Sequence, residues 1–191
     1  MRIILSTKTQ RYHTLTLALA ALCIVSSTAL AAPIRIAVTG DSNVAGKGVS
    51  SSETYPAQLE RALKAKGYDA RVLNTGVNGD TTTGLLGRLN SAVPPGTQIA
   101  IVWTGINDVR RQGKPVSFVQ EMRRKITADL RARGIEVLNL KRDAGTGLRN
   151  NPKFTTGDGD MHFNAAGYAR VVALTLPQIE GMIRKAGGKR R

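Results

Sequence analysis

The 191-residue chain is poor in cysteine, histidine, aromatic side chains and acidic charge. Its one cysteine, Cys23, excludes an intrachain disulfide framework and a CxxC-type zinc cluster. Aromatic residues make up 4%, so the basic stretches lack the interleaved rings that stack on nucleic-acid bases. Acidic residues number 13 against 28 Lys and Arg, a formal charge of +15. That imbalance favours attraction to anionic lipid, lipopolysaccharide or acidic glycans over a range set by salt. An apolar content of 41% is too high for a disordered chain, and the length suits one domain.

The first 31 residues read as a secretory signal. Arg2, Lys8 and Arg11 precede an apolar run from Leu15 to Val25, and Ala29-Leu30-Ala31 fits the small-x-small cleavage pattern. The run is shorter than the ~20 residues of a membrane span, and a retained interfacial anchor is the alternative. Lipoprotein processing at Cys23 is disfavoured, because Leu22 stands where a small residue is wanted. Cleavage after Ala31 removes three basic and no acidic residues, and 15 less 3 leaves +12. The expected product is a periplasmic or secreted chain without cysteine, held together by its core. Its domain runs over 32–184, followed by a basic tail, 185–191, read as a solvated end or an anionic-surface contact.

The mature region alternates strand and helix patterns. Ile34 to Thr39, Ala70 to Leu73, Thr97 to Trp103 and Ile135 to Leu140 read as strands. Tyr55 to Lys66, Thr82 to Leu89 and Val116 to Arg133 read as helices. A last helix is capped by Asn164 and runs toward Ile183, with Pro177 interrupting or restarting it. This alternation predicts an α/β three-layer sandwich around a central parallel sheet of four to five strands. Ligands of such sheets sit outside the carboxyl ends of the strands. Lys141 to Gly159 reads as a long loop of the kind that often carries function.

Polar blocks follow the strands: Gly40-Asp41-Ser42-Asn43, Asn74-Thr75-Gly76-Val77-Asn78-Gly79 and Gly105-Ile106-Asn107-Asp108. A fourth, Asp158-Gly159-Asp160-Met161-His162-Phe163-Asn164, precedes the last helix. Each alone suits a turn or a helix cap. Together they supply the parts of nucleophilic catalysis. A serine hydroxyl needs a base, and His162 is the one histidine that remains once His13 leaves with the signal. The imidazole needs a carboxylate to fix its tautomer, and both Asp158 and Asp160 are near in sequence. The Ser42 and Gly76 backbone N–H groups and the Asn107 amide can supply three oxyanion donors. A phosphate-loop reading of Gly40 to Gly48 fails on spacing, and Val44 removes a Gly-x-Ser-x-Gly elbow.

The four blocks, in this order from Gly40 to Tyr168, resemble the SGNH hydrolase superfamily, also called the GDSL esterases. The resemblance implies a flavodoxin-like fold, Ser42 as nucleophile, His162 as base, and Ser42, Gly76 and Asn107 as the oxyanion hole. Asp41 would shape the nucleophile loop. The sequence departs from the pattern at Asn43, where many members have leucine, and at Gly159, where the common pattern has the acid. In an extended segment Asp160 projects to the side of His162 and is the preferred acid; in a helical turn Asp158 is the better partner. The expected activity is hydrolysis of small acyl, aryl or lysolipid-like esters or thioesters, with no cofactor and no metal. Carbohydrate O-deacetylation is the enzymatic alternative, and a basic module binding anionic envelope polymers the non-enzymatic one. Val77, Ile106, Val109 and Phe163 are candidates for pocket lining or for helix packing.

Overall fold

The computed structural model of the chain describes residues 32–141, 147–159 and 162–190. Residues 1–31, read above as a signal, and Asp160 lie outside the described residues.

Four parallel strands form one sheet in the order β2-β1-β3-β4: β1 Ile34–Gly40, β2 Ala70–Gly76, β3 Ile99–Trp103 and β4 Glu136–Asn139. The helices are α1 Ser42–Ala45, α2 Tyr55–Ala65, α3 Thr82–Gly87, α4 Leu89–Ala92, α5 Ile106–Arg110, α6 Val116–Ala132 and α7 Ala165–Lys185. Because strand side chains alternate between faces, the central strands feed two separate cores. Ile36, Val38, Ile101 and Trp103 face Leu59 and Leu63 of α2 and Val171, Ile179 and Ile183 of α7. Ala37, Ala100 and Val102 face Leu85, Leu89, Ile126 and Leu130 on the other side. The continuous apolar run of β3 thus serves both layers, as burial on two faces requires.

Three elements differ from the sequence reading. The helix expected over 82–89 is broken at Arg88 into α3 and α4, since its side chain is drawn to Asp80 and to the strand ends. Pro177 neither stops nor restarts α7. Pro177 and Ala173, whose carbonyl loses its partner, are both exposed, so water can satisfy that oxygen while the buried stripe runs on. In the basic tail, Arg190 docks on the domain. The Arg190 guanidinium lies 5.3 Å from the centre of the Tyr68 ring, its Nε donates to the Tyr68 hydroxyl at 3.1 Å, and Nη2 pairs with Glu180 at 3.0 Å.

Two glycines permit the close approach of α1 to the sheet. Gly40 has φ 149°, and a Cβ there would stand 1.8 Å from the Trp103 carbonyl oxygen. At Gly76 a Cβ would meet the Ala45 nitrogen at 2.2 Å and the Val44 carbonyl carbon at 2.6 Å. Gly76→Ala should therefore push α1 off β2 at about 1–3 kcal/mol, read as a fall of several degrees in Tm. An unchanged Tm would contradict this packing role.

Candidate active site

The site forms where β1 ends. After Gly40, the Asp41 N–H donates to the Trp103 carbonyl at 3.2 Å, which fixes the turn to β3. The Asp41 side chain caps α1: its Oδ1 accepts from the Asn43 N–H at 3.0 Å and from Asn43 Nδ2 at 3.4 Å. Asp41 is almost wholly buried. Burial raises its carboxyl pKa, against the opposing pull of the Asn43 bonds and of the Arg149 and His162 charges. Ser42 is thereby held as the first residue of α1, where its N–H has no acceptor within the helix.

His162 arrives from the far end of the chain. Thr155 and Phe163 form an antiparallel bridge, and the Thr156 N–H donates to the His162 carbonyl at 2.9 Å. These bonds hold residues 155–156 beside 162–163. Phe163 anchors this pairing against Trp103 and Tyr168, at ring-centre distances of 5.7 and 5.9 Å. Asn164 fastens it further. Its Oδ1 caps α7 at the Gly167 N–H, and its Nδ2 donates to the Lys153 and Thr155 carbonyls at 3.0 and 3.1 Å.

Ser42 Oγ and His162 Nε2 are 2.8 Å apart, and His162 Nδ1 lies 2.5 Å from Asp158 Oδ2. An ionised carboxylate only accepts, so Nδ1 carries the proton and Nε2 is left to accept from the serine hydroxyl. The His162 N–H also reaches Asp158 Oδ1 at 3.4 Å. Partial burial opposes ionisation of Asp158, but the bonds and charge of His162, with a bond from Thr156, pull its pKa down from 3.8 to about 2. Gly157 and Gly159, with φ of 72° and 71°, flank Asp158, whose carboxylate lies against the ring. Asp160, the acid preferred on an extended geometry, lies outside the described residues.

The oxyanion donors separate into two groups. Asn107, buried on α5, donates through Nδ2 to the Asp80 carbonyl at 2.8 Å. Its amide has a second hydrogen to give. Gly76 is otherwise engaged. The Val77 N–H donates to Gly40 of β1, so the preceding N–H points to the outer edge of the sheet, where Asn74 Oδ1 accepts it at 3.0 Å. Gly79 sits in the turn closed by the bond from the Asp80 N–H to the Val77 carbonyl, with φ 80°. The bond from Asn107 to Asp80 brings that turn beside the amide.

Sequence reasoning missed the scaffold behind these groups. Asp108 is fully buried and accepts from the Thr82 N–H at 2.9 Å and from Thr82 Oγ1 at 2.5 Å, tying α5 to α3. Arg88 pairs with Asp80 at 2.7 Å and donates to the carbonyls of Thr75 and Gly40 at 2.9 and 3.2 Å. The Asn78-Gly79-Asp80 sequence, a turn signal with a carboxylate, is the trace these contacts leave in the chain. Of the candidate lining residues, Ile106 and Val109 border a cavity next to the Ser42 turn, Phe163 belongs to the core, and Val77 is exposed at the start of the Gly79 turn. Among the described residues, no group of His, Cys, Asp or Glu is arranged to hold a metal ion.

Comparison with known proteins places this geometry. The chain is 33% identical to esterase TesA of Pseudomonas aeruginosa over 120 residues, 62% of this chain and 59% of that protein. It is 27% identical to an arylesterase of Vibrio mimicus over 139 residues, 72% of this chain and 66% of that protein. It thus spans about three-fifths to two-thirds of the length of these relatives. The crystal structure of AlinE4, an SGNH-hydrolase family esterase, matches with a TM-score of 0.61 and 26% identity, covering 78% of this chain and 96% of that one. A family model matches residues 38–153, the stretch that holds the serine, both glycine turns and Asn107: the chain belongs to the GDSL-like lipase/acylhydrolase family.

Proposed function

We propose that the chain is a serine esterase that hydrolyses carboxylic or thioester bonds through an acyl-enzyme. The observation that carries this reading is the run of contacts from Ser42 Oγ through both nitrogens of His162 to Asp158. Ser42 Oγ attacks the substrate carbonyl carbon while its proton passes to Nε2. The ring becomes an imidazolium, stabilised by ionised Asp158. The Ser42 N–H, the free hydrogen of Asn107 Nδ2 and the Gly79 N–H, in place of that of Gly76, receive the oxyanion. Collapse of the tetrahedral adduct breaks the bond to the leaving alcohol or thiol, which takes the proton from Nε2. Water then loses a proton to the same nitrogen, attacks the acyl carbon and releases the acid, and Ser42 recovers its proton.

The acid of the triad in this proposal is Asp158. Export is proposed on the basic-apolar-small pattern of residues 1–31. Among the described residues, no helix is long and apolar enough to cross a membrane.

Three outcomes check this reading. Ser42→Ala should reduce turnover of 4-nitrophenyl acetate to background with an unchanged circular dichroism spectrum; retained turnover in the folded variant would contradict it. Asp158→Asn should lower kcat about 10²–10⁴-fold, because an amide NH2 facing Nδ1 forces the proton onto Nε2. Asp160→Asn should lower it less than about tenfold, and steady-state kinetics of the two variants decide between the acids. The third concerns acid stability. A carboxyl whose pKa falls on folding stabilises the native state fully above its unfolded value and loses that contribution as pH falls through the folded one. For Asp158 that window runs from 3.8 down to about 2. Denaturation followed across it should show a shallower loss of stability in Asp158→Asn than in the parent chain; parallel curves would contradict the shift.

A further inference from the structure

A cavity of about 280 Å³ opens beside the nucleophile. It borders Asp41 and Asn43, which flank Ser42, and Gly105 and Ile106, which precede Asn107. Trp103 and Val119 give it buried apolar walls, while Val109 and Val116 stand exposed among its lining residues. An apolar wall alone would suit a simple acyl or aryl group. This one also holds Arg123, a half-buried arginine from the middle of α6, and Arg149, stacked 4.9 Å over the Phe163 ring.

Arg123 is fixed in place. Its Nη2 donates to the Leu140 carbonyl at 2.6 Å. A guanidinium has five N–H donors, so this bond orients the group without exhausting it. Arg123 also lines a second, open groove on the outer side of α6, together with Gln120, Arg124, Thr127, Arg131 and Asn139. Arg124 and Arg131 are exposed and seven residues apart, on one face of the helix. Of the two acids on that helix, Glu121 and Asp129, neither lines the groove, and Glu121 is paired with Lys125 at 2.8 Å. Asp41 is the one carboxylate among the described residues that line either space; its Oδ1 accepts from Asn43, and its charge acts on both Arg123 and Arg149. The two spaces share Arg123 and Gln120, so the apolar cavity next to the nucleophile's turn and the cationic groove adjoin at these two side chains.

We propose that the substrate is an ester bearing an anionic group a few bonds from its carbonyl, with the apolar link in the cavity beside Ser42 and the anion on Arg123. Arg123 is then a specificity residue, and Arg124 and Arg131 extend the attraction outward. This rests on the hydrolase reading above and adds the charge of the substrate to it. A carboxylate at the end of the acyl chain and an acidic group on the leaving alcohol offer the same chemistry from two sides of the ester.

The test compares charged and neutral pairs of esters with the full-length chain. Mono-4-nitrophenyl glutarate against 4-nitrophenyl butyrate places the charge on the acyl side. 4-Acetoxybenzenesulfonate against phenyl acetate places it on the alcohol side. For at least one pair, the ratio of kcat/KM, charged over neutral, should fall about tenfold in Arg123→Gln, recover partly in Arg123→Lys, and decline with added salt in the parent chain. Gln120→Glu, an exposed change that brings a negative charge beside Arg123, should lower the same ratio without disturbing the bond to Leu140. Ratios unmoved by Arg123→Gln, Gln120→Glu and salt in both pairs, with the neutral esters still hydrolysed, would overturn this proposal alone. No turnover of any ester above the Ser42→Ala background would overturn it together with the hydrolase reading.

Discussion

The 2.8 Å contact between Ser42 and His162 joins residues 120 positions apart, and the rest of the site is arranged around it. Neither partner is held by its neighbours in sequence alone. Ser42 stands at the end of the central strand β1, in a turn that exists because Gly40 lets the backbone pass against Trp103. His162 stands on a segment that packs on that same tryptophan through Phe163. Trp103 is therefore the common floor of both halves. Its burial contributes to the core and, through one carbonyl and one ring face, also sets the spacing of the reacting atoms.

Charge is distributed so that each carboxylate near the site has one task. Asp158 is partly buried and bonded to the imidazole, which pulls its pKa down to about 2. Asp41 is buried, with its pKa raised, and spends its oxygen on the α1 cap. Asp108 is buried and bonded to Thr82, and Asp80 is paired with Arg88. The two latter acids hold the loops after β2 and β3 against each other, which places Asn107 beside the Gly79 turn. In a water-poor site such fixed dipoles need little reorganisation as charge develops on the substrate.

The layered architecture was legible because periodicity reports it: apolar alternation marks strands, and spacings of three and four mark α2 and α6. The positions of Ser42, Asn107 and His162 followed from placing polar blocks at strand ends. What the sequence could not show was the local path of the chain. The contact of Asp158 with His162 depends on the φ values of Gly157 and Gly159, and spacing alone does not give them. Gly76 and Gly79 look alike in sequence, yet the ladder turns one N–H to the sheet edge while the other stays in a turn beside Asn107. The docking of Arg190 on Tyr68 and the passage of α7 through Pro177 are tertiary effects that override local preference. That the Arg123 groove adjoins the cavity next to the nucleophile's turn is likewise a property of the folded surface.

The central claim is that the fold makes Ser42 a nucleophile by way of His162. Labelling with an alkyl fluorophosphonate, followed by mass spectrometry of the intact chain and its peptides, tests it most directly. The account predicts one adduct per chain, on Ser42, formed at a rate that collapses in a folded His162→Ala variant. A folded chain that leaves Ser42 unlabelled, or labels it equally fast without the imidazole, would contradict it.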